Sequence, residues 1–266
     1  GPDVVAEGED EISRLVQEFC RMKASTRENI RNMEEKHAME QKLNDMRLQM
    51  LKSQINPHFL FNTLNMIACT AKLEDAGDTE KMILSLGNLF RYNLKTTEQF
   101  VTLERELKIV EDYMYLQKMR FGSRIKYRLS LETDAAAVMI PSLSLQPIVE
   151  NAIVHGISKK EGGGILHVRI WKKNQDLILS VADTGLGISE ERLEEVRKAM
   201  AERRTAKIGI GLGNIYKRIH MIYQGGDLQI YSCEGKGTII QMILPQKDAG
   251  MKYRGEDQNV QTAGSR

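Results

Sequence analysis

Cysteine is scarce in this chain, no apolar run is long, and neither sign of charge dominates. Each absence narrows the reading. Cys20, Cys69 and Cys233 are the three cysteines, and they stand apart without a Cys-x-x-Cys pair. That excludes a disulfide framework and a zinc site and suits reduced thiols in a cytosolic setting. No stretch approaches the run of about 18 apolar residues that a membrane-spanning helix needs. Thirty-eight Lys and Arg against 36 Asp and Glu leave a net charge of +2, so no excess field points to nucleic acid. What is there is ordinary: 41% hydrophobic and 28% charged residues in a chain of 266. That length allows one large or two modest domains with linkers. The leading Gly1-Pro2 resembles the remnant of a protease cut. We therefore expect a natural chain that extends upstream, with membrane contact only through segments not included here.

Residues 10–50 are densely charged and free of proline and glycine. Ile12, Leu15, Phe19 and Met22 step by 3, 4 and 3, the spacing of a coiled-coil seam. The pattern weakens through Met33 and His37 and resumes at Leu43, Met46 and Met50. It predicts a long helix pairing in parallel with a second copy, since a helix so polar needs a partner to stay formed. A single solvated helix is the alternative.

The next run, Gln54-Ile55-Asn56-Pro57-His58-Phe59-Leu60-Phe61-Asn62-Thr63-Leu64-Asn65, sets one histidine in a helix-patterned apolar stretch. His58, Asn62 and Asn65 fall on one face, while Phe61, Leu64, Ala68 and Ala71 follow the spacing of a buried seam. An imidazole beside a packed seam, with an amide to orient it, suits a nucleophile; the alternative is a core histidine bonded to its neighbours. Pro57 either opens a new helix capped by Asn56 or kinks a continuous one, and the apolar spacing on both sides favours the kink. The helix is expected to end near Ala76-Gly77 and a second to run from Thr79 to Lys95. Such a hairpin buries little alone; dimerised, it makes a four-helix bundle.

After Thr97 the pattern changes to mixed α and β. Strands are expected at 100–102, 125–131, 165–171, 177–182, 228–231 and 238–244, and helices at 103–120, 143–156, 190–202 and 213–223. One sheet covered by helices on one face accounts for them. Residues 247–266 are polar and aperiodic and are expected to be a disordered tail.

Three constellations in this half carry chemistry. In Leu145-Gln146-Pro147-Ile148-Val149-Glu150-Asn151-Ala152-Ile153-Val154-His155-Gly156, the apolar positions form a buried face, and Asn151, His155 and Ser158 share the other. An asparagine oxygen can complete an octahedral Mg²⁺ shell otherwise made of waters and phosphates; a capping or bridging asparagine is the alternative. Val181-Ala182-Asp183-Thr184-Gly185-Leu186-Gly187-Ile188 ends a strand in a carboxylate and a Gly-x-Gly turn. That carboxylate can accept a bond from an exocyclic amine such as that of adenine. Gly209-Ile210-Gly211-Leu212-Gly213-Asn214 then opens a helix whose backbone amides suit a phosphate. It is no P-loop, lacking a following Gly-Lys-Ser/Thr, and no dinucleotide fingerprint, lacking a βαβ unit. The roughly 20 charged residues between the glycine boxes are long for a connection and suit a lid. Gly235-Lys236-Gly237-Thr238 turns into the last strand, as a simple hairpin or as part of the site.

Taken in order, these motifs resemble the ATP-binding domain shared by histidine kinases, gyrase, Hsp90 and MutL. Asn-Pro-His-Phe-Leu-Phe-Asn-Thr-Leu-Asn before them is similar to the phosphoacceptor region of LytS/YesM-type sensor histidine kinases, as is 101–124. Residues 9–22 look like the second helix of a HAMP signalling module. The fold implied is α+β, with an N-terminal coiled coil and a dimeric four-helix-bundle hairpin before an α/β-sandwich ATP-binding domain. The divisions are 1–40 for HAMP remnant and linker, 41–98 for dimerisation and phosphotransfer helices, 99–246 for the catalytic domain and 247–266 for the tail.

By this resemblance His58 is the phosphorylated residue, with Asn62 one turn on, and ATP and Mg²⁺ are the cofactors. Asn151, His155, Asp183, Gly185, Gly187, Gly209, Gly211, Gly213 and Thr238 then bind nucleotide, with Asn151 on the metal and Asp183 on adenine. The chain departs from commoner histidine kinases in having Phe59 where an acid follows the histidine and Pro147 four residues before the asparagine. An ordinary imidazole, titrating near ~6.5, is mostly an unprotonated nucleophile at cytosolic pH without a base. Lys159, Arg203, Arg204 and Lys207 offer charge to a triphosphate, or are simply solvated. The partners implied are a second copy and a response-regulator aspartate, on the cytoplasmic side of a membrane sensor. Two rivals are a nucleotide-binding signalling scaffold that transfers no phosphate and a gyrase- or Hsp90-like clamp ATPase.

Overall fold

The computed structural model describes residues 18–19, 21–23, 33, 39, 57–95, 98–132, 135–202 and 210–246. The chain divides into two compact units, residues 1–60 and 61–266. In the first, residues 18–19, 21–23, 33 and 39 are helical, and Arg21 pairs with Glu18 at 3.7 Å on the surface. Phe19 and Met22 of the expected coiled-coil seam are exposed. Ile12, Leu15, residues 40–56 and the tail lie outside the described residues, and with them the distinction between a kink and a fresh start at Pro57.

Helix α1 spans Pro57–Leu73. Phe61, Ala68 and Ala71 are buried, as their spacing requires, and Leu64 of the same expected seam is half-buried. Asp75 ends it in the left-handed region (φ 53°), which aspartate tolerates, and the Ala76 amide closes the turn on the Ala71 carbonyl at 2.8 Å. Helix α2 spans Gly77–Lys95, starting two residues before expectation because the Glu80 amide already bonds the Ala76 carbonyl.

The face that α2 turns to its neighbour is polar. Asp78, Lys81, Ser85, Asn88 and Tyr92 repeat at steps of 3 and 4 and meet helix α3, Leu103–Phe121. Ser85 Oγ and Asn88 Nδ2 donate to the buried Asp112 carboxylate at 2.9 and 3.0 Å. Tyr115 donates to Asp78 at 3.4 Å, and the Lys81 ammonium stands 4.3 Å over the Tyr115 ring. The hairpin's apolar residues Met66, Ile67, Leu73, Leu84 and Leu86 stay exposed.

Thr102 closes strand β1, Phe100–Thr102, and caps α3 by accepting the Arg105 amide at 3.3 Å. Gly122 ends α3 at φ 59°, and a 3₁₀ turn leads into β2, Ile125–Leu131. β1 pairs antiparallel with β3, Met139–Pro141. Three residues are too few to show alternation, and the sequence reading lacks this strand.

β4 (Gly164–Lys173), β5 (Asp176–Asp183), β6 (Asp227–Cys233) and β7 (Gly237–Pro245) join β2 in a five-stranded sheet ordered β2-β4-β5-β7-β6. β2 runs parallel to β4, and the other neighbours are antiparallel. Leu166, Val168 and Ile170, then Leu177, Leu179 and Val181, then Ile240, Met242 and Leu244 form the buried face. Against them pack Ile148, Val149, Ile153 and Ile157, then Leu193, Val196 and Met200, then Ile215 and Ile219. This is the expected sheet with helices on one face.

Leu166 is fully buried in this core. Leu166→Ala is expected to cost about 2–5 kcal/mol by deleting packed methyls and leaving a cavity. Met221→Ala, at a site 79% exposed, is expected to stay within about 0.5 kcal/mol of wild type. Urea unfolding of both variants checks the difference.

Candidate functional site

Strand alternation sets the centre of the site. Asp183 lies two residues beyond Val181, so its side chain falls on the same inner face, opposite Thr238 of β7. Where the hydrophobic ladder ends, a carboxylate faces inward.

The element above it bends to meet it. Helix α4 covers Gln146–Asn151 and continues as a π-helical turn, Ala152–Ile157, in which the Ser158 amide reaches the Ile153 carbonyl at 2.9 Å. This wider turn changes the expected face. Asn151 and His155 line a cavity together with Ala152 and Gly156. Ser158 turns back instead, its hydroxyl donating to the Val154 carbonyl at 3.1 Å.

Two glycines permit the approach. A Cβ on Gly156 would lie 2.8 Å from Asp183 Oδ1, and one on Gly185 would lie 2.3 Å from the Gly156 carbonyl carbon. The Gly185 amide donates to Asp183 Oδ1 at 2.7 Å. Burial pushes the Asp183 carboxyl above its ordinary range, opposed by the Gly185 and Thr238 amides and then the Lys160 ammonium.

The Gly-x-Gly turn is held by the β6–β7 hairpin. A Cβ on Gly237 (φ 124°) would meet the Asp183 carbonyl oxygen at 1.9 Å, so only glycine fits there. The Ile188 amide donates to Ser232 Oγ at 2.9 Å, and that hydroxyl lies 2.8 Å from Thr238 Oγ1. The Gly235 amide reaches the Leu186 carbonyl at 2.6 Å. The 235–238 segment is thus a hairpin and also carries Thr238 into the cavity wall. Lys160, which the sequence reading passed over for Lys159, donates to the Thr184 carbonyl at 2.7 Å; Lys159 is exposed.

The second glycine box differs from expectation. Helix α6 spans Ile210–Ile222, so it starts before the expected Gly213 and takes Gly211 into its first turn as well. Gly211 lies against Asn151, since a Cβ there would stand 3.8 Å from Asn151 Nδ2, and Gly213 is buried. Gly209, Arg203, Arg204 and Lys207 lie outside the described residues. Much of the expected lid is a packed helix, α5 (Glu190–Ala201), which buries Leu193, Val196, Ala199 and Met200.

The cavity holds about 340 Å³. Ile148, Val181, Ile188, Leu212 and Ile240 supply apolar walls; Asn151, His155, Asp183 and Thr238 supply polar groups. Of the nucleotide-binding residues named from sequence, Gly187 and Gly211 also line it, while Gly185 supports it from behind Gly156. Gly156 is the residue that sequence reasoning missed, although its place at the end of the asparagine motif was visible. A flat, largely apolar molecule with a donor for one carboxylate suits this volume. Among the described residues no three His, Cys, Asp or Glu side chains gather into a metal site. On α1, in the first unit, His58 is exposed; Asn62 and Asn65 further along the helix are exposed as well.

Family profiles match two parts of the chain: "Histidine kinase" over residues 46–125 and "Histidine kinase-, DNA gyrase B-, and HSP90-like ATPase" over 141–248. The chain is 32% identical to the sensor histidine kinase YesM of Bacillus subtilis over 238 residues, 89% of this chain and 39% of YesM. It is 30% identical to the sensor protein LytS of Bacillus anthracis over 240 residues, 90% of this chain and 40% of LytS. With YwpD of Bacillus subtilis, described as a putative uncharacterized protein, it shares 31% identity over 202 residues, 75% of this chain and 70% of YwpD. The chain spans about two fifths of the length of the YesM and LytS relatives.

The raised Asp183 carboxyl makes a stability prediction. The folded state holds that proton to higher pH than the unfolded chain, so ionising Asp183 costs stability as pH rises through the folded value. Below the unfolded carboxylate value of about 3.9 both states are protonated and the cost vanishes. Asp183→Asn without ligand is therefore expected to melt above wild type at pH 7, with the gap closing as pH falls toward 4. Thermal melts across that range check it; a gap independent of pH contradicts it.

Proposed function

This chain belongs to the sensor histidine kinases of the LytS and YesM type, and we propose that it phosphorylates His58 from ATP and passes the phosphoryl group to a response-regulator aspartate. The observation that carries this reading is the half-buried Asp183 carboxylate, set among apolar walls in one cavity with Asn151, His155, Gly187, Gly211 and Thr238. In this reading Asp183 accepts the exocyclic amine of adenine, and the apolar walls hold the ring. Gly156 and Gly185 let the base approach backbone where a side chain would block it. Asn151 holds Mg²⁺ through its side-chain oxygen. Bound with the triphosphate, Mg²⁺ neutralises charge on the phosphates.

His58 supplies the nucleophile. Its ring nitrogen bonds to the γ-phosphorus as the bond from that phosphorus to the ADP oxygen breaks, a step that asks chiefly for in-line placement. Phe59 beside it brings no base, and Asn62 can orient the ring but takes no proton. We assign 1–40 to a HAMP-like remnant and linker, 41–98 to dimerisation and phosphotransfer, and 99–246 to ATP binding. The apolar surface that Met66, Ile67, Leu73, Leu84 and Leu86 leave exposed supports pairing with a second copy into a four-helix bundle. ATP and a receiver domain place the work on the cytoplasmic side. No described helix is long and apolar enough to cross a membrane.

Incubation with Mg²⁺ and γ-labelled ATP tests the proposal. Wild type is expected to take up acid-labile, base-stable label. His58→Ala is expected to take up none while binding ATP within about twofold of wild type. Label retained on His58→Ala would place the phosphoryl group elsewhere. Free phosphate release without labelling would indicate a clamp ATPase.

A further inference from the structure

The helical hairpin touches the nucleotide domain through a buried carboxylate that the chemistry above does not use. Glu106, near the start of α3, is fully buried. Its Oε1 accepts the Leu143 amide at 2.6 Å, and its Oε2 accepts the Ser144 and Leu145 amides at 3.1 and 2.8 Å. The remaining donor is the hydroxyl of Tyr92, from the last turn of α2. A carboxylate taken this far from water is tolerated only when donors surround it.

The segment that Glu106 grips leads directly into the asparagine motif. Leu143 sits at φ 57°, a left-handed conformation that a leucine keeps only when held. Its amide points to Glu106 and also lies 3.2 Å from the Tyr92 hydroxyl. Two residues later Leu145 begins the hydrogen bonding of α4, which carries Asn151 and the π turn. From the other side Arg218 of α6 donates to the Ser142 carbonyl. α6 in turn sets Gly211 against Asn151. Burial, then the charge of Glu106, holds the Tyr92 hydroxyl protonated as a donor.

Resting on the nucleotide reading above, we infer that Tyr92 is a positioning residue: its hydroxyl, delivered by α2, completes the shell of Glu106 and so sets the Asn151 turn for nucleotide. Tyr92 ends the polar row that α2 presents to α3, so a shift of α2 along α3 withdraws it. The strained 142–145 segment then relaxes and the pocket loosens. By linkage the effect runs both ways, and nucleotide in the pocket protects the end of α2.

Tyr92→Phe keeps the ring and removes only the hydroxyl. It is compared in the full chain with Ser85→Ala, which breaks a different buried bond between α2 and α3. Hydrogen exchange is read on peptides covering 142–157 and on β4 and β5, and affinity is read with Mg²⁺ and ADP. Tyr92→Phe is expected to speed exchange at 142–151 and weaken ADP about tenfold, the loss of one bond to a charged group. The sheet peptides stay unchanged, and ADP no longer alters exchange at 88–95. Ser85→Ala is expected to lower the melting temperature while leaving ADP affinity and exchange at 142–151 as in wild type. Tyr92→Phe behaving like Ser85→Ala, or like wild type, overturns the inference. A wild-type chain that binds no ADP overturns the nucleotide reading instead, and exchange at 142–151 then decides this one alone.

Discussion

The structure turns on the contact between the Asp183 carboxylate and the backbone of Gly156 and Gly185. A charged group at the end of a hydrophobic strand face is costly unless donors meet it. Here the Gly185 amide meets Oδ1 at 2.7 Å, the Thr238 amide adds a second donor, and the glycines admit no methyl between the layers. The rest of the site is arranged so that this contact can exist. The π turn widens α4 to bring Gly156 down, Gly237 turns β7 in against the Asp183 carbonyl, and Ser232 ties the Gly-x-Gly turn to the hairpin. An acid that partial burial keeps above its ordinary range costs the protein stability. That cost suits a group whose proper partner is a ligand donor.

Two buried carboxylates, Asp112 and Glu106, do structural work of a different kind. Asp112 and Glu106 join α3 to α2 through Ser85, Asn88 and Tyr92, so the hairpin meets the nucleotide domain through directional bonds. An apolar seam tolerates sliding; a row of matched donors and acceptors specifies register. Phe61, Ala68, Ala71 and Leu89 of the hairpin are buried, while Met66, Ile67, Leu73, Leu84 and Leu86 stay on its surface.

Much of this was legible in the sequence. The expected strands match the five-stranded sheet, with Asp183 at the end of one of them, and Phe61, Ala68 and Ala71 of the expected seam lie buried while its Leu64 is half-buried. The order of the motifs pointed to the histidine-kinase family before any coordinates. Other features were hidden for physical reasons. The π turn leaves no mark in a pattern read at 3.6 residues per turn, so Ser158 was placed on the wrong face and Gly156 passed over. The polar row on α2 reads as a solvated surface, because burial of Ser85 and Tyr92 depends on acids far along the chain. β3 is too short to alternate. The second glycine box opens a helix as its pattern implied, but α6 starts at Ile210 and takes in Gly211, which lies against Asn151 despite its low helix propensity.

The proposed function has this pocket built around a carboxylate that accepts a bond from an amine. Competition between ATP and inosine triphosphate for the pocket tests it most directly. Inosine carries a carbonyl oxygen where adenine carries its exocyclic amine, so it offers Asp183 an acceptor in place of a donor. If Asp183 reads the base, ATP displaces a fluorescent nucleotide at a concentration at least about tenfold lower than inosine triphosphate does. Equal displacement by the two would contradict the account and leave Asp183 a structural acid.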